Sequence, residues 1–266
     1  MTSRILAAAV AAGASAALMA WGRRRQVISG LDWERTNHAG DPVTLWEGAA
    51  YAKGASIGAL TAGSPAGAFA ALGGAVFGAL DDHHGDSASK GLAGHLGALT
   101  RGEVTTGAVK ILGIGASGLI SAVLIDRSRA GRPVGMHTLV GGALIAGSAN
   151  LANLFDLRPG RALKATALAG LPLLPGAGGV SSAAAIGATL GVIGPDLRGE
   201  SMLGDTGANA AGPVIGVAPV QRLGPRGRLI TLAALTALTL ASERVSFTQI
   251  IESTPVLREL DQWGRR

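Results

Sequence analysis

Apolar runs recur along the whole chain, and short polar segments separate them. This pattern is typical of an all-α, polytopic helical membrane protein rather than of one large soluble core. We predict about nine transmembrane helices in a single membrane domain, residues 1–242, followed by an amphipathic segment, residues 243–266. Several spans are shorter than the ~20 residues of a usual crossing, but short Gly- and Ala-rich helices can cross where the bilayer thins. The predicted spans are residues 5–21, 46–62, 66–80, 107–125, 137–154, 163–176, 179–194, 209–221 and 228–242.

Composition supports this membrane assignment. Only 15% of the 266 residues are charged and 48% are hydrophobic, whereas a soluble protein usually carries about 25% charged residues. The absence of Cys excludes disulfides, thiolate metal sites and a cysteine nucleophile. The net charge of +6 is scattered between the apolar runs, so it favours membrane anchoring over nucleic-acid binding.

The Lys and Arg residues predict the orientation. With the N-terminus outside, 14 of them fall in inner segments and 7 in outer segments, while Lys53 and Lys110 lie in or beside spans. Because cytoplasmic loops carry an excess of these residues, we predict an outer N-terminus and a cytoplasmic C-terminus. A signal peptide is the alternative for the first span, since Arg4 precedes an apolar run with small residues near Ala20. The Arg23–Arg25 cluster favours a cytoplasmic stop instead.

Glycine spacing predicts close helix packing. Pairs of glycines four residues apart let helix backbones approach closely in lipid, although chance spacing among 42 Gly is the alternative for any single pair. GIGASG at 113–118 matches G-x-G-x-x-G, but no strand precedes it, so it does not predict a dinucleotide site. The four pairs are Gly54/Gly58, Gly74/Gly78, Gly187/Gly191 and Gly212/Gly216.

Acidic and amide side chains gather at span ends on the predicted cytoplasmic side. Asp81 and Asp82 end the third span in LDDHHGD. The fifth span ends in NLANLFD, where Asn150, Asn153 and Asp156 recur every third residue and share one helix face. Ionisable groups at membrane depth are costly and usually face a functional cavity. A solvated helix end for the Asp pair and interhelical hydrogen bonding for the Asn pair are the structural alternatives.

A divalent-cation site is the chemistry that these side chains favour. Asp205 lies in a glycine-flanked turn, LGDTGAN, on the same predicted side. Carboxylates on separate helices with amide oxygens suit Mg²⁺, which takes one or two carboxylates plus water and phosphate oxygens. His83 and His84 raise the alternative of Zn²⁺. No further His follows at three or four residues, so we interpret the pair as an interfacial or substrate-binding feature.

In their order along the chain, these motifs resemble those of the polyprenyl-phosphate sugar-1-phosphate transferases, including phospho-N-acetylmuramoyl-pentapeptide transferase and the undecaprenyl-phosphate GlcNAc-1-phosphate transferases. That family carries an Asp-Asp pair, then N-x-x-N-x-x-D-G, then G-D-x-G-S, which here read LDDHHGD, NLANLFDL and LGDTGAN. RTNHAGDPVTLWEG at 35–48 resembles the family's first cytoplasmic loop. Leu157 replaces the motif Gly, Ala208 and Asn209 stand where the Ser is expected, and the family's His-rich loop is missing.

The resemblance implies transfer of a sugar 1-phosphate from a UDP-sugar to a polyprenyl phosphate in the plasma membrane, with release of UMP, for the cell envelope. It implies that Asp205 binds Mg²⁺ and that Asp81 and Asp82 act on the lipid phosphate. It also implies that Asp156, a third catalytic candidate, and Asn153 lie near the nucleotide. The other substrate-binding candidates are Asn37, His83, Lys90, Asn150 and Lys164.

Two other classes of protein stay open from the sequence. A catalytically inactive relative that scaffolds envelope assembly would explain the departures from the family motifs. A small transporter would more often carry internal repeats and ionisable groups near mid-membrane, and the chain has acidic groups at span ends instead. Positive-inside anchoring is the alternative role for Lys90 and Lys164, and a homodimer is an assembly compatible with the chain.

Overall fold

A computed structural model describes residues 1–25, 33–36, 40–84, 97, 100, 102, 105–128 and 133–265. Within these ranges it is 81% helical and contains 11 helices, which confirms the all-α prediction. The described part also holds a small antiparallel sheet of two strands, β1 (Glu34–Thr36) and β2 (Pro42–Thr44), which the hydropathy pattern did not predict.

The helices follow the apolar runs in order, and each of the nine predicted spans overlaps one of the first nine helices. Pro225 and Pro255 stand at helix starts, where a missing N–H costs no intrahelical bond. The helices are α1 (Thr2–Arg25), α2 (Trp46–Thr61), α3 (Pro65–His84), α4 (Thr106–Ser128), α5 (Met136–Phe155), α6 (Arg161–Gly170), α7 (Gly179–Leu197), α8 (Gly204–Arg222), α9 (Pro225–Ser242), α10 (Phe247–Ser253) and α11 (Pro255–Gln262).

Fewer of the described helices meet the length and hydropathy needed to cross a membrane. Four do so, namely α1, α4, α5 and α7, and the bent pair of α9 and α10 makes a fifth if it counts as one span. The structure therefore supports a membrane protein, while the nine-span count and the orientation stay predictions. Helix α6 shows the difference between an apolar run and a full crossing. Its 10 residues rise about 15 Å, half of the ~30 Å hydrocarbon core.

Helix α8 lies at the centre of the bundle, and most of its residues are buried. It packs against α2, α3, α5 and α7. Helix α1 packs against α2 and α7, and α5 lies against both α4 and α8, with α9 also packed on α5. The core consists mainly of Ala, with some Val, Leu and Ile. Small side chains of this kind let helices approach closely where lipid gives no hydrophobic driving force between them.

All four predicted glycine pairs lie at close helix contacts. On α3, a Cβ at Gly74 or Gly78 would collide with backbone atoms of α8, at the carbonyls of Asn209 and Asp205 respectively. The α3 and α8 backbones are therefore in direct contact along this stripe. The other pairs are Gly54 and Gly58 of α2 against α1, Gly187 and Gly191 of α7 against α1, and Gly212 and Gly216 of α8 against α5.

A buried ion pair ties α4 to α9 at the end of the bundle where α4 finishes and α9 begins. The guanidinium of Arg228 donates two hydrogen bonds to the Asp126 carboxylate, at 2.7 and 3.0 Å. Both side chains are fully buried, and the Thr138 hydroxyl also donates to Asp126. The hydropathy pattern places Arg228 at an outer span edge as an anchoring charge. The structure instead gives it a partner, which a buried charge requires.

Gly78→Ala is expected to destabilise the bundle. The added Cβ would meet the Asp205 carbonyl, which cannot move without shifting α8. Overpacking of this kind costs about 1–3 kcal/mol, measured by thermal unfolding in detergent. The matched control is Gly115→Ala in α4, where a Cβ would meet no atom within 4 Å. That variant should be at least as stable as the native chain, because Ala is the better helix former. Equal stability of the two variants would contradict the close α3–α8 contact.

Candidate functional site

Six helix ends meet at one end of the bundle, the end opposite to the Asp126–Arg228 pair. They are the C-terminal ends of α3, α5 and α7 and the N-terminal ends of α4, α6 and α8. Hydrogen bonds join α3 to α8, α4 to α3 and α8, and the start of α6 to α7. Asp81, Asp82 and Asp205 of the first and third motifs therefore meet at this end, and Asp156 of the second motif lies beside them.

The carboxylate of Asp82, on the last turn of α3, caps α8. One oxygen accepts the N–H of Asp205 at 3.0 Å, and the other accepts the N–H and the hydroxyl of Thr206 at 2.8 and 2.6 Å. The first N–H groups of a helix lack intrahelical partners, and this end carries partial positive charge. A carboxylate from a neighbouring helix accepts the free N–H groups and also places a negative charge at the positive helix end. Asp82 consequently fixes the position from which Asp205 extends.

Lys110, in the first turns of α4, joins two of the predicted carboxylates. Its ammonium group pairs with Asp81 and lies 3.1 Å from the Asp205 carboxylate. All three side chains are about one-fifth exposed, so the cluster borders solvent. From the sequence, Lys110 was only a charge at a span edge. The signal that could have found it is a single Lys at the start of an otherwise apolar run, which by default suggests function.

Asp156 follows the last residue of α5 and reaches the same helix start. Its carboxylate lies near the N–H of Gly204, the first residue of α8. Burial raises the pKa of Asp156 well above its usual range, and the nearby Asp196 and Asp205 carboxylates raise it further, against the opposing effect of the Gly204 N–H. A carboxyl group that keeps its proton to higher pH is suited to donate a proton or a hydrogen bond.

A cavity of about 440 Å³ adjoins Asp156. Its walls come from the β1–β2 hairpin, the α5–α6 turn, the end of α7 and the segment before α8. Asp196 lies in the wall and accepts the N–H of Gly160 at 3.0 Å. Glu47 is fully buried behind it and accepts a hydrogen bond from Ser201. The cavity is lined by Thr36, Val43, Asp156, Leu157, Arg158, Pro159, Asp196, Gly199, Ser201 and Met202.

Asp196, Glu47 and Ser201 were not singled out from the sequence. The only available signal was their position, since Glu47 begins an apolar run and the other two belong to GPDLRGES, beside the Asp205 turn. Neither segment has the spacing of a known motif. Their convergence depends on the packing of α2 against α7 and α8, which hydropathy does not reveal.

Several predicted substrate-binding residues lie elsewhere. The Asn150 amide donates to the Thr239 hydroxyl of α9 at 3.1 Å, so it makes an interhelical hydrogen bond. The Lys164 ammonium donates to backbone carbonyls at the end of α11. His83 packs edge-on against Trp33, with ring centroids 4.7 Å apart. Asn153 is half-buried on α5, one turn before the cluster. Asn37 and Lys90 lie outside the described residues.

The oxygen donors of Asp81 and Asp205 fit Mg²⁺ in chemical type. Among the described residues, no group of three or more His, Cys, Asp or Glu is placed to enclose a metal ion. Mg²⁺ commonly binds through one or two carboxylates, with water and substrate phosphate completing its shell. The two carboxylates suffice for that arrangement, and the Lys110 ammonium holds them together by charge.

Comparison with known proteins assigns no family. The chain matches no protein-family model, and no curated protein matches it in sequence. The functional argument therefore depends on the geometry of the site.

Asp82→Ala is expected to loosen the start of α8, because it removes the acceptor of two backbone N–H groups. Loss of an N-cap costs about 0.5–2 kcal/mol, which corresponds to roughly 2- to 30-fold faster exchange of those amides by local opening. Hydrogen exchange read by mass spectrometry would measure it at Asp205 and Thr206. Asp82→Asn should keep only part of the protection, because its one amide oxygen can accept for one of the two N–H groups while its NH₂ group faces the other.

Asp81→Ala is the control for this experiment. Asp81 pairs with Lys110 rather than with the α8 backbone, so its removal should leave exchange at the start of α8 close to native. Native-like exchange in Asp82→Ala would show that the cap contributes nothing.

Proposed function

We propose that this protein is a membrane phosphoglycosyltransferase that moves a sugar 1-phosphate from a UDP-sugar to a polyprenyl phosphate and releases UMP. The observation that carries the proposal is the convergence of Asp81, Asp205 and Lys110 at one end of the bundle, beside Asp156 and its cavity. In this proposal that end faces the cytoplasm, where nucleotide sugars are available. The protein is then a multi-pass protein of the plasma membrane.

The reaction joins two anions, so charge is its main barrier. An oxygen of the lipid phosphate forms a bond to the phosphorus of the sugar 1-phosphate, and the bond from that phosphorus to the UMP oxygen breaks. Positioned cations lower the barrier by neutralising the phosphates. Mg²⁺ on Asp205, when bound, supplies part of that neutralisation. The ammonium of Lys110 and the guanidinium of Arg158, at the cavity wall, supply more.

Each carboxylate has a distinct part in this proposal. Asp205 holds the metal. Asp81, paired with the same lysine, orients the acceptor phosphate and accepts its proton. Asp82 has both oxygens engaged by α8, so its part is to position Asp205 rather than to contact substrate. Asp156 hydrogen-bonds the nucleotide at the cavity.

The two cavities support this division of substrates. The 440 Å³ cavity falls within the ~300–1,000 Å³ range of ligand pockets and has polar groups at its wall. A second, largely apolar cavity of about 380 Å³ lies between α5, α6, α8 and α9. Phe155 lines this second cavity, next to Asp156 in the chain. An acceptor lipid could place its apolar tail in the second cavity and its phosphate beside Asp156 at the first.

A catalytically inactive scaffold for envelope assembly is the competing proposal. Leu157 and Ala208, which stand at family glycine and serine positions, favour it. So do Asn150 and Lys164, whose polar groups serve helix contacts. An activity assay separates the two proposals.

Purified protein with undecaprenyl phosphate, Mg²⁺ and a panel of UDP-sugars is expected to release UMP. Asp205→Asn should abolish turnover, and Asp81→Asn should lower it ~10²-fold or more, the scale for losing a positioned acid–base group. Glu243→Gln, an exposed carboxylate beyond α9, is the matched control and should be fully active. Full activity in EDTA or in Asp205→Asn would refute the metal role. No UMP release from any UDP-sugar would favour the scaffold.

Single-Cys labelling tests the orientation, since the native chain has no Cys. Arg158→Cys and Arg198→Cys lie at the site end and are partly exposed, whereas Arg226→Cys lies at the start of α9, at the other end. An impermeant maleimide should label the first two only from the cytoplasmic face and the third only from outside. Labelling of the first two from opposite faces would contradict a shared site, and labelling of both from outside would contradict the proposed orientation.

A further inference from the structure

The chain turns by a right angle after α9. Helix α9 has 18 residues, which rise about 27 Å, close to the ~30 Å thickness of the hydrocarbon core. After a break of four residues or fewer, α10 runs at 88° to α9. If α9 crosses the bilayer, a helix perpendicular to it runs parallel to the membrane plane.

A buried ion pair fastens this C-terminal segment to the bundle. Arg161, at the start of α6, donates two hydrogen bonds to the Asp261 carboxylate of α11 at 2.8 and 2.9 Å. A third bond, also 2.8 Å, runs from Arg161 to the Thr248 hydroxyl of α10. The ion pair is 4% and 7% exposed at its two side chains. Lys164 adds bonds to carbonyls at the end of α11. One side of α10–α11 therefore has a fixed place on α6.

A different side of α11 has no cover among the described residues. Val256 and Trp263 are seven residues apart, so they share one face. They are 75% and 74% exposed, whereas Leu260, one turn after Val256, is 40% exposed and lines the cavity against α5 and α6. Arg258, two residues after Val256, lies on the opposite side of the helix. Helix α11 thus has a face toward the protein through Asp261, an apolar face, and a charged face.

Lipid is the occupant that the surroundings of the apolar face favour. Helix α9 exposes large apolar side chains, and α10, which runs at a right angle to α9, leads into α11. A surface that begins in lipid along α9 and turns into the membrane plane meets the headgroup boundary, where Trp side chains are enriched. The exposed side chains on α9 are Leu229, Ile230, Leu238 and Leu240.

We propose that α10 and α11 lie in the membrane–water interface. The face formed by Val256 and Trp263 enters the boundary between headgroups and acyl chains, as amphipathic interfacial helices do. The Arg161–Asp261 pair sets the depth of the segment. This inference does not depend on the enzymatic activity proposed above.

The segment formed by α10 and α11 also contacts the elements that carry the candidate site. It closes an apolar cavity of about 370 Å³ against α5 and α6. Arg265, just after α11, donates to the carbonyl of Pro159 at 2.8 Å, and Pro159 lines the cavity beside Asp156. The hydrogen bond from Arg265 therefore joins the C-terminal segment to the α5–α6 turn that carries Asp156.

Nitroxide labels at single Cys residues test the proposal without any activity measurement. Val256→Cys and Arg258→Cys would be labelled in the full chain, in nanodiscs of phosphatidylcholine with phosphatidylglycerol. Power saturation should show the label at 256 relaxed more by oxygen, which partitions into lipid, than by a water-soluble nickel chelate. The label at 258 should show the reverse order.

Two outcomes would overturn the proposal. In one, the label at 256 is as accessible to the nickel chelate as the label at 258, which would mean that α11 stands in water. In the other, the label at 256 is shielded from both reagents and shows dipolar broadening that unlabelled protein removes, which would mean that a second copy covers the face.

A variant that removes the Arg161–Asp261 ion pair tests whether this pair sets the depth of α10 and α11 in the interface. Asp261→Asn in the Val256→Cys background should raise the mobility of the label and reduce the contrast between oxygen and nickel accessibility. Glu252→Gln is the matched control, because its carboxylate is half exposed and lies 3.9 Å from Arg158, so it should leave the spectrum unchanged. An unchanged spectrum in Asp261→Asn would show that the pair does not set the depth.

Discussion

The backbone contact between α3 and α8 is the constraint on which the rest of the site depends. Gly74 and Gly78 leave no side chain between the two helices, so the end of α3 arrives directly at the start of α8. Asp82 then accepts the free N–H groups of α8. The partial positive charge at that helix start stabilises a carboxylate that would otherwise be costly near a membrane boundary. One contact therefore satisfies both groups: the Asp82 carboxylate gains positive surroundings, and the free N–H groups of α8 gain acceptors.

The two ends of the bundle hold their charges in different ways. Asp126 and Arg228 are fully buried, and Asp126 also accepts the Thr138 hydroxyl and lies 3.5 Å from Nε2 of His137. At the other end, one ammonium group, that of Lys110, serves two carboxylates that remain partly exposed. The first arrangement has no capacity for a ligand and holds helices together. The second leaves both carboxylates in contact with solvent at a site that the proposed function assigns to a cation.

The α5–α6 turn lies between the Asp81–Lys110–Asp205 cluster and the C-terminal segment. Gly160 in the turn donates its N–H to Asp196 of α7, while Pro159 in the same turn receives a hydrogen bond from Arg265 beyond α11. The turn is therefore held from α7 and from the C-terminal segment. A site built on helix ends gains rigidity from such contacts, because helix ends are otherwise the least constrained parts of a bundle.

Hydropathy and glycine spacing alone determined the helical class, the order of the nine main helices and the close packing at the glycine pairs. These properties depend on local length and composition. The meeting of the three acidic motifs was also predictable, since antiparallel helices of similar length return every second end to the same side. The sequence overestimated α6, because an apolar run does not show where a helix stops.

Only the tertiary structure decided what each charged side chain does. Asp82 caps a helix 123 positions along the chain, Lys110 joins two carboxylates, and Lys164 serves the C-terminal segment. The rotation of each helix about its axis selects these partners. That rotation follows from the packing of all the helices at once, so residue type and spacing could place these groups at the correct end of the bundle but could not choose their contacts.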